Sequence, residues 1–215
     1  EIQQKLLDRV AEVNDNIVVV LFSGRPLDIR DIKAKAKAIL EVWMPGTEGA
    51  GAIADVLYGA YNPTGKLPMS FPYCVGQVPV HYNEYATGRP HVEGKDKDRF
   101  RSKYLDIPNA PLYPFGYGLS YTTFTVSEVS LDKDSMKDGE SIRAAVTVKN
   151  TGTCAGTETI QLYLHDVAAS VVRPVKELKD FRKVTLQPEE EARGLALSSE
   201  LFINGSLNTF AQPTN

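Results

Sequence analysis

The sequence lacks a long apolar run and has few residues of the kinds that build metal sites or disulfides. No stretch approaches the ~20 consecutive apolar residues of a membrane-spanning helix, so no membrane span is predicted. There are only two cysteines and three histidines. Cys74 and Cys154 are far apart without CxxC spacing, and the histidines make no HExxH or HxH pattern. We therefore predict no metal site, no disulfide and no cofactor.

An excess of positive charge is missing as well. The 215 residues carry a formal net charge of -3, and no stripe of lysine and arginine runs along the chain. These features argue against a nucleic-acid-binding protein. The first residues have neither an initiator methionine nor a signal-peptide pattern. From this we expect the chain to begin inside a longer protein.

Residues 1–110 are predicted to form a partial α/β layer. Apolar runs at Ile17–Phe22 and Ile39–Met44 show no alternation, which is typical of strands covered on both faces. Helical patterns precede, separate and follow them, over Ile2–Val13, Asp31–Ala38 and Glu48–Leu57. Such alternation favours a parallel sheet, although two or three strands are too few for a complete doubly wound fold.

Residues 111–123 are predicted to be a rigid joint between two domains. The stretch Pro111–Phe124 holds two prolines, two glycines and several aromatic residues. Proline fixes φ and glycine frees it, so such a run follows one defined irregular path. Its aromatic side chains offer apolar surface that can hold that path in place.

Residues 124–200 are predicted to form a sandwich of the immunoglobulin or fibronectin type III kind. Five short alternating strands with turn residues between them end near Leu197. Because such sandwiches have about seven strands, this one is predicted to be incomplete. Residues 201–215 are polar and are predicted to be an unstructured tail.

Several motifs resemble glycoside hydrolase family 3, in the order in which that family has them. Within the family the similarity is to bacterial periplasmic β-glucosidases, and it runs from the first residue to about Leu197. Two further motifs are similar to the family's fibronectin type III-like domain. The motifs of the first group are Gly24–Pro26, Trp43–Gly49, Ala54–Gly59, Asn62–Pro68 and Pro114–Tyr121, and those of the second are Val146–Gly152 and Arg173–Phe181.

The resemblance implies a three-part enzyme in which a (β/α) barrel precedes the two domains of this chain. It implies retaining hydrolysis of terminal non-reducing β-D-glucosyl residues of β-glucoside oligosaccharides, with two carboxylates about 5–5.5 Å apart. The nucleophilic Asp and the acid/base Glu are then expected upstream of Glu1, and no catalytic residue is assigned within this chain. The resemblance also implies a periplasmic or secreted protein, and a homodimer is among its expected assemblies.

The segment His81–Pro90 is the candidate for substrate binding. It combines aromatic, amide, carboxylate and guanidinium groups, as sugar-binding pockets do, in a stretch with loop chemistry. The hypothetical binding residues are Tyr82, Asn83, Glu84 and Arg89. The alternative is a brace between domains, and the sequence weighs the two equally.

Two other carboxylates fit structural roles. Glu48 follows Thr47, which can cap a helix, and an acid in a first turn complements the helix dipole. Glu41 lies within an apolar run, where pairing with a base or a position at the strand's edge is expected.

Two other functions stay open. One is a standalone carbohydrate-binding or structural module built on the sandwich, and the other is a family member that acts on β-xylosides. An α/β layer with missing strands also leaves an apolar face uncovered, so we expect the isolated chain to be poorly soluble or to self-associate.

Overall fold

The N-terminal part of the chain alternates helices with strands, as the sequence predicts. The computed structural model describes residues 2–92, 98–135, 140–200 and 207–211. The strands β1 and β2 pair in parallel, with Val18 opposite Ala38, which confirms the partial parallel α/β layer. The elements are α1 (Ile2–Ala11), β1 (Val18–Leu21), α2 (Arg30–Lys35), β2 (Ala38–Glu41) and α3 (Gly49–Leu57).

The apolar face of α1 is not covered by the rest of the described chain. An ion pair between Asp8 and Lys35 of α2 ties the helix down on one side. The apolar residues Ile2, Leu6, Val10 and Val13 are between 37% and 85% exposed. A helix of this amphipathic kind normally buries such a face, so the face is suited to packing against another part of a larger protein.

In the described residues between α3 and the sandwich, a 3-10 helix (Val75–Gln77) is the regular element, and backbone hydrogen bonds define much of the remaining path. Here the predicted joint runs beside the segment from Leu67 to Phe71. The Leu67 N–H donates to the carbonyl of Tyr117, and the Phe71 N–H donates to the carbonyl of Tyr113, both at 2.8 Å. The Phe71 side chain is almost fully buried. The prolines and glycines of the joint therefore lie on a fixed path.

The C-terminal part is a sandwich of two antiparallel sheets. In one sheet β3, β4 and β8 pair with β5, and in the other β7 and β9 flank β6. This confirms the fibronectin type III-like fold. The seven strands are β3 (Phe124–Val126), β4 (Ser130–Leu131), β5 (Ser141–Asn150), β6 (Gly156–Asp166), β7 (Glu177–Leu186), β8 (Glu191–Glu200) and β9 (Leu207–Ala211).

The structure corrects the prediction of an unstructured tail for Leu207–Ala211. These residues form β9, which pairs with Leu162–Asp166 of β6. The pairing uses backbone groups at an edge of β6, which the polar composition of the tail does not reveal. The remaining tail residues, 201–206 and 212–215, lie outside the described residues. The sequence predicts an incomplete sandwich of five strands. With β9 and the short β4, the described sandwich has seven strands, the number that is usual for this fold.

The sandwich core follows the alternation of its strands. One face of β5 contributes Ala144, Val146 and Val148, which pack against Ile160 and Leu162 of β6. The opposite side of β6 is buried too, since Gln161 and Tyr163 are also almost fully covered. A strand buried on both faces requires a second packing partner, and that partner is the joint with the loop described next.

Candidate functional site

A long excursion of the chain, between Val78 and Ile107, is closed at its base by one glutamine. The Gln77 side chain is 3% exposed. Its Oε1 accepts the Tyr73 N–H at 2.5 Å, and its Nε2 donates to the carbonyls of Pro108 (2.9 Å) and Ala110 (3.2 Å). A buried amide with both ends satisfied fixes the two stems of the excursion against each other. The candidate segment lies within this excursion.

Tyr82 anchors the candidate segment at the contact between the two domains. Its ring stacks on Phe115 of the joint, with centroids 4.2 Å apart and planes 17° apart. It also meets the ring of Tyr163 in β6 edge to face at 6.0 Å. Burial raises the pKa of Tyr163 to about 12. The Tyr82 ring is thus engaged by protein on two sides, as a brace requires.

The residues after Tyr82 are tied to the sandwich through their backbone. The Val175 N–H donates to the carbonyl of Glu84 at 2.8 Å, and Tyr85 forms an isolated β-bridge with Pro174. The Tyr82 hydroxyl accepts the Leu178 N–H at 3.4 Å. The segment entering β7 therefore holds the start of the loop formed by residues Tyr82–Pro90, which we call the 82–90 loop.

The other predicted binding residues project from this anchored backbone. Asn83, Glu84 and Arg89 are exposed. The Arg89 guanidinium lies over the ring of Phe100, 5.7 Å from its centroid, and the Arg89 carbonyl accepts the Ser102 N–H at 2.9 Å. The structure thus separates the four predicted residues into one anchor, Tyr82, and three side chains available to a ligand.

Glu41, the last residue of β2, is a half-buried carboxylate. Its Oε1 accepts the Ser23 hydroxyl at 3.2 Å and the Trp43 N–H at 2.9 Å. Its Oε2 is buried and has no hydrogen-bond partner among the described residues. Burial raises the pKa of Glu41, and the two hydrogen bonds oppose that rise. Of the two expectations for Glu41, the position at the strand's edge agrees with its place at the end of β2 in a two-stranded sheet. The hydrogen bonds found for its carboxylate come from two neutral donors and not from a base.

Trp43 has a backbone conformation that is rare for a residue with a side chain. Its φ is +50°, in the left-handed region. The Glu41 carboxylate accepts a hydrogen bond from the Trp43 N–H. The indole ring packs on the Phe71 ring, with centroids 5.8 Å apart. A positive φ at a bulky residue costs roughly 1–3 kcal/mol and persists where the surroundings fix it. The carboxyl end of β2 is therefore a rigid part of the molecule.

Glu48 is predicted to lie in the first turn of a helix that Thr47 caps, but the structure places it one position before the helix. Here Glu48 itself is the residue before α3, which begins at Gly49, and it makes no capping hydrogen bond through its side chain. It is exposed, so it remains close to the helix N-terminus without being buried there.

A buried ion pair between the domains was not predicted from the sequence. The Lys66 Nζ lies 2.8 Å from the carboxylate of Glu158, and both side chains are about nine-tenths buried. The same ammonium group donates to the carbonyl of Gly118 at 2.7 Å. Lys66 and Glu158 are 92 residues apart, and no local pattern reveals such a pair.

Two glycines of the joint allow its backbone to lie close to neighbouring segments of the chain. A Cβ on Gly118 would collide with the carbonyl oxygen of Gly65, and one on Gly116 would collide with the side-chain amide of Gln161. Gly116 has a φ of +81°. The Gln161 Nε2 donates to the Gly116 carbonyl at 3.2 Å. Glycine is therefore required here both for backbone conformation and for contact between the domains.

The described residues offer no metal centre. Over the described ranges, no group of three or more histidine, cysteine, aspartate or glutamate side chains could hold a metal ion. Cys74 and Cys154 are free thiols. None of the helices in the described part of the chain has the length and apolar character needed to cross a membrane.

The two domains each match a known protein family. Residues 1–121 match the glycosyl hydrolase family 3 C-terminal domain, and residues 158–194 match the fibronectin type III-like domain. The first match alone covers more than half of the chain and places it among the glycosyl hydrolases. The chain belongs to glycoside hydrolase family 3, which confirms the resemblance inferred from its motifs.

Relatives and solved structures agree with this assignment. The periplasmic β-glucosidase of Salmonella typhimurium is 52% identical over 188 residues, which cover 87% of this chain and 24% of that protein. A β-xylosidase of Formosa agariphila is 42% identical over 189 residues, which cover 88% and 25%. The structure of a β-glucosidase from Listeria innocua in complex with isofagomine superposes with a TM-score of 0.86 at 47% identity, covering 92% of this chain and 28% of that one.

The chain spans about a quarter of the length of these proteins. It corresponds to their C-terminal α/β and fibronectin type III-like parts.

Proposed function

We propose that this chain forms the C-terminal part of a retaining β-glucosidase that removes terminal non-reducing β-D-glucosyl residues from oligosaccharides. The observation that supports this most is its superposition, over 92% of its length, on a β-glucosidase at 47% identity. In this proposal the nucleophilic Asp and the acid/base Glu come from the part of the enzyme that precedes Glu1. The chain itself contributes the α/β layer, the joint and the sandwich, which together form a rigid surface next to those groups.

The residues of this surface have different roles in the proposal. The Lys66–Glu158 pair and the joint hold the α/β layer and the sandwich as one body, so that surfaces on both keep fixed positions. The exposed Asn83, Glu84 and Arg89 offer hydrogen-bond donors and acceptors to sugar hydroxyls in the outer part of the pocket. The exposed face of α1 is where we expect the preceding part of the enzyme to pack.

A β-xyloside is the second candidate substrate. The β-xylosidase of Formosa agariphila is 42% identical to this chain, which is close to the identity of several β-glucosidases. The two sugars differ by one hydroxymethyl group. The residues that would contact that group are expected upstream of Glu1, so a direct comparison of the two substrates is needed.

The proposed location is the periplasm or the outside of the cell, supported by the similarity to the periplasmic enzyme of Salmonella typhimurium.

A homodimer is the proposed assembly. Light scattering of the complete protein, at several concentrations, checks this directly.

The activity test compares the complete protein that the gene encodes with residues 1–215 alone. Both are assayed with p-nitrophenyl β-D-glucoside and p-nitrophenyl β-D-xyloside. We expect hydrolysis of the glucoside by the complete protein only. A folded complete protein that hydrolyses neither substrate would contradict the proposal. Activity of residues 1–215 alone would mean that the carboxylates lie within this chain, and Glu48 and Glu84 would be tested first.

A further inference from the structure

We infer that Tyr82 is a positioning residue, through which the fibronectin type III-like domain holds the 82–90 loop in the geometry that binds the outer part of the substrate. This inference rests on the proposed function. In this inference the sandwich acts on substrate binding indirectly, through the Tyr82 side chain, which contacts Phe115, Tyr163 and Leu178.

The first support is the place of the Tyr82 ring between two domains. It stacks on Phe115, which belongs to the joint, and meets Tyr163, which belongs to β6. On Tyr163, the Lys176 ammonium lies 5.2 Å from the ring centroid, and burial lowers the pKa of that lysine. The ring of Tyr82 thus closes a layered aromatic cluster, and moving it would open that cluster to water.

The second support is the set of backbone ties on either side of the exposed residues. At the start of the loop, the segment Pro174–Leu178 of the sandwich contacts Tyr82, Glu84 and Tyr85. At its end, the Arg101 guanidinium donates to the carbonyl of Pro90 at 3.0 Å. A loop fixed at both ends presents its side chains with little conformational freedom left to lose when a ligand binds.

The chemistry of the loop gives the expected ligand. Asn83 offers an amide, Glu84 a carboxylate and Arg89 a guanidinium, all exposed and within seven consecutive residues. Neutral polyhydroxylated molecules are bound by such mixed donors and acceptors, provided that they are held in position. We therefore expect the loop to contact the second sugar of a disaccharide, and the glucosyl unit being transferred to be held mainly by the rest of the enzyme.

The test uses the complete protein and compares two substrates. Tyr82→Ala removes the stacking ring, Tyr82→Phe keeps it, and Tyr58→Ala makes the same truncation at a tyrosine that is 90% exposed. We expect Tyr82→Ala to raise KM for a β-linked glucose disaccharide by roughly tenfold with little change in kcat. KM for p-nitrophenyl β-D-glucoside should change by less than about twofold. Tyr82→Phe keeps the ring but loses the hydroxyl that accepts the Leu178 N–H, and it should raise KM for the disaccharide less than Tyr82→Ala does. Tyr58→Ala should behave like the parent protein.

Hydrogen exchange of the same proteins separates positioning from general loss of structure. Tyr82→Ala should speed amide exchange in residues 83–92, while exchange in β5 and β6 stays as in the parent protein. An unchanged KM for the disaccharide, or unchanged exchange in residues 83–92, would overturn the inference. Faster exchange throughout the sandwich would overturn it as well, because Tyr82 would then be a residue of general stability. If the parent protein hydrolyses neither substrate, the proposed function fails separately.

Discussion

Lys66 and Glu158 form a buried ion pair at 2.8 Å across the contact between the α/β layer and the sandwich. Burial of two charges is costly, and the pair is tolerated because each partner has further hydrogen bonds: Lys66 donates to the Gly118 carbonyl, and Glu158 accepts the Thr159 N–H. The two domains are therefore joined by a contact that depends on both residues.

Removing one partner of this pair should be far more damaging than removing both. Lys66→Met leaves Glu158 buried without its cation and is expected to lower the free energy of unfolding by about 3–5 kcal/mol. The double variant Lys66→Met/Glu158→Leu should recover much of that loss. Urea denaturation of the complete protein measures both effects.

The control for this prediction is the exposed pair Lys149–Glu189 at 2.7 Å. Lys149→Met should change stability little, because exposed pairs are solvated and screened. An equal loss for Lys66→Met and Lys149→Met would show that burial of the first pair has no energetic consequence.

Gly118 should not tolerate a methyl group. Because a Cβ there meets the Gly65 carbonyl, Gly118→Ala is expected to lower stability by about 1–3 kcal/mol. Gly51 is the matched control, since it lies within α3 and a Cβ there meets no atom within 4 Å. Gly51→Ala should stabilise the protein by roughly 0.5–1 kcal/mol through helix propensity. Thermal unfolding that shifts in the same direction for both variants would refute the steric explanation.

Glu41 should make stability depend on pH. Burial raises its pKa, so the folded protein binds this proton more tightly than the unfolded chain does. The stability that this provides is present below the unfolded pKa of about 4.3 and is lost as the pH rises through the higher folded pKa. Glu41→Gln removes this dependence, and its stability relative to the parent should increase over that rise in pH.

Ser23→Ala provides a second check on Glu41. It removes a hydrogen bond that favours the carboxylate form, so the loss of stability with rising pH should become steeper. Denaturation curves at several pH values measure both variants. A difference between Glu41→Gln and the parent that is the same at every pH would contradict the assigned cause.

Asn150 should be one of the least replaceable polar residues of the sandwich. It is fully buried, its Oδ1 accepts the Thr122 hydroxyl at 2.7 Å, and its Nδ2 donates to the carbonyls of Cys154 (2.9 Å) and Leu186 (3.1 Å). Asn150→Ala leaves these groups without partners and should cost about 2 kcal/mol or more. Thr157→Ala, which removes an exposed hydroxyl contact with Thr185, is the control and should cost less than about 1 kcal/mol. Similar losses for both would count against the buried network.

The parts of the fold that were predicted correctly are those with a local signal. The uniform apolar runs predict the strands β1 and β2, although their described residues are half-buried or exposed and not covered on both faces as expected. The alternating apolar residues of β5 do match the burial of every second side chain there. The apolar residues Phe124, Val126, Val129 and Leu131 have the pattern of a single strand, but the structure divides this stretch into β3 and β4. The chain is interrupted at Ser127, whose hydroxyl accepts the Thr147 N–H of β5 at 2.9 Å, and that bond is visible only in three dimensions.

For the candidate site, composition predicts substrate binding by the 82–90 loop, which stays a prediction, and it does not distinguish the positions within the loop. Tyr82 and Asn83 are neighbours with equal claims as sugar-binding residues on composition alone. In the structure Tyr82 is half-buried against Phe115 and Asn83 is exposed, because the joint and β6 meet at the position of the Tyr82 ring.

What the sequence by itself determined is the family, the order of the two domains and the type of most of the regular elements. These follow from motifs and from periodicity, both of which are properties of short stretches of chain. Only the tertiary structure decided that Lys66 neutralises Glu158, that Leu207–Ala211 adds a strand to β6, and that Tyr82 joins the loop to the sandwich. Each of these contacts joins residues 40 or more positions apart, and it forms only when distant parts of the chain pack against each other.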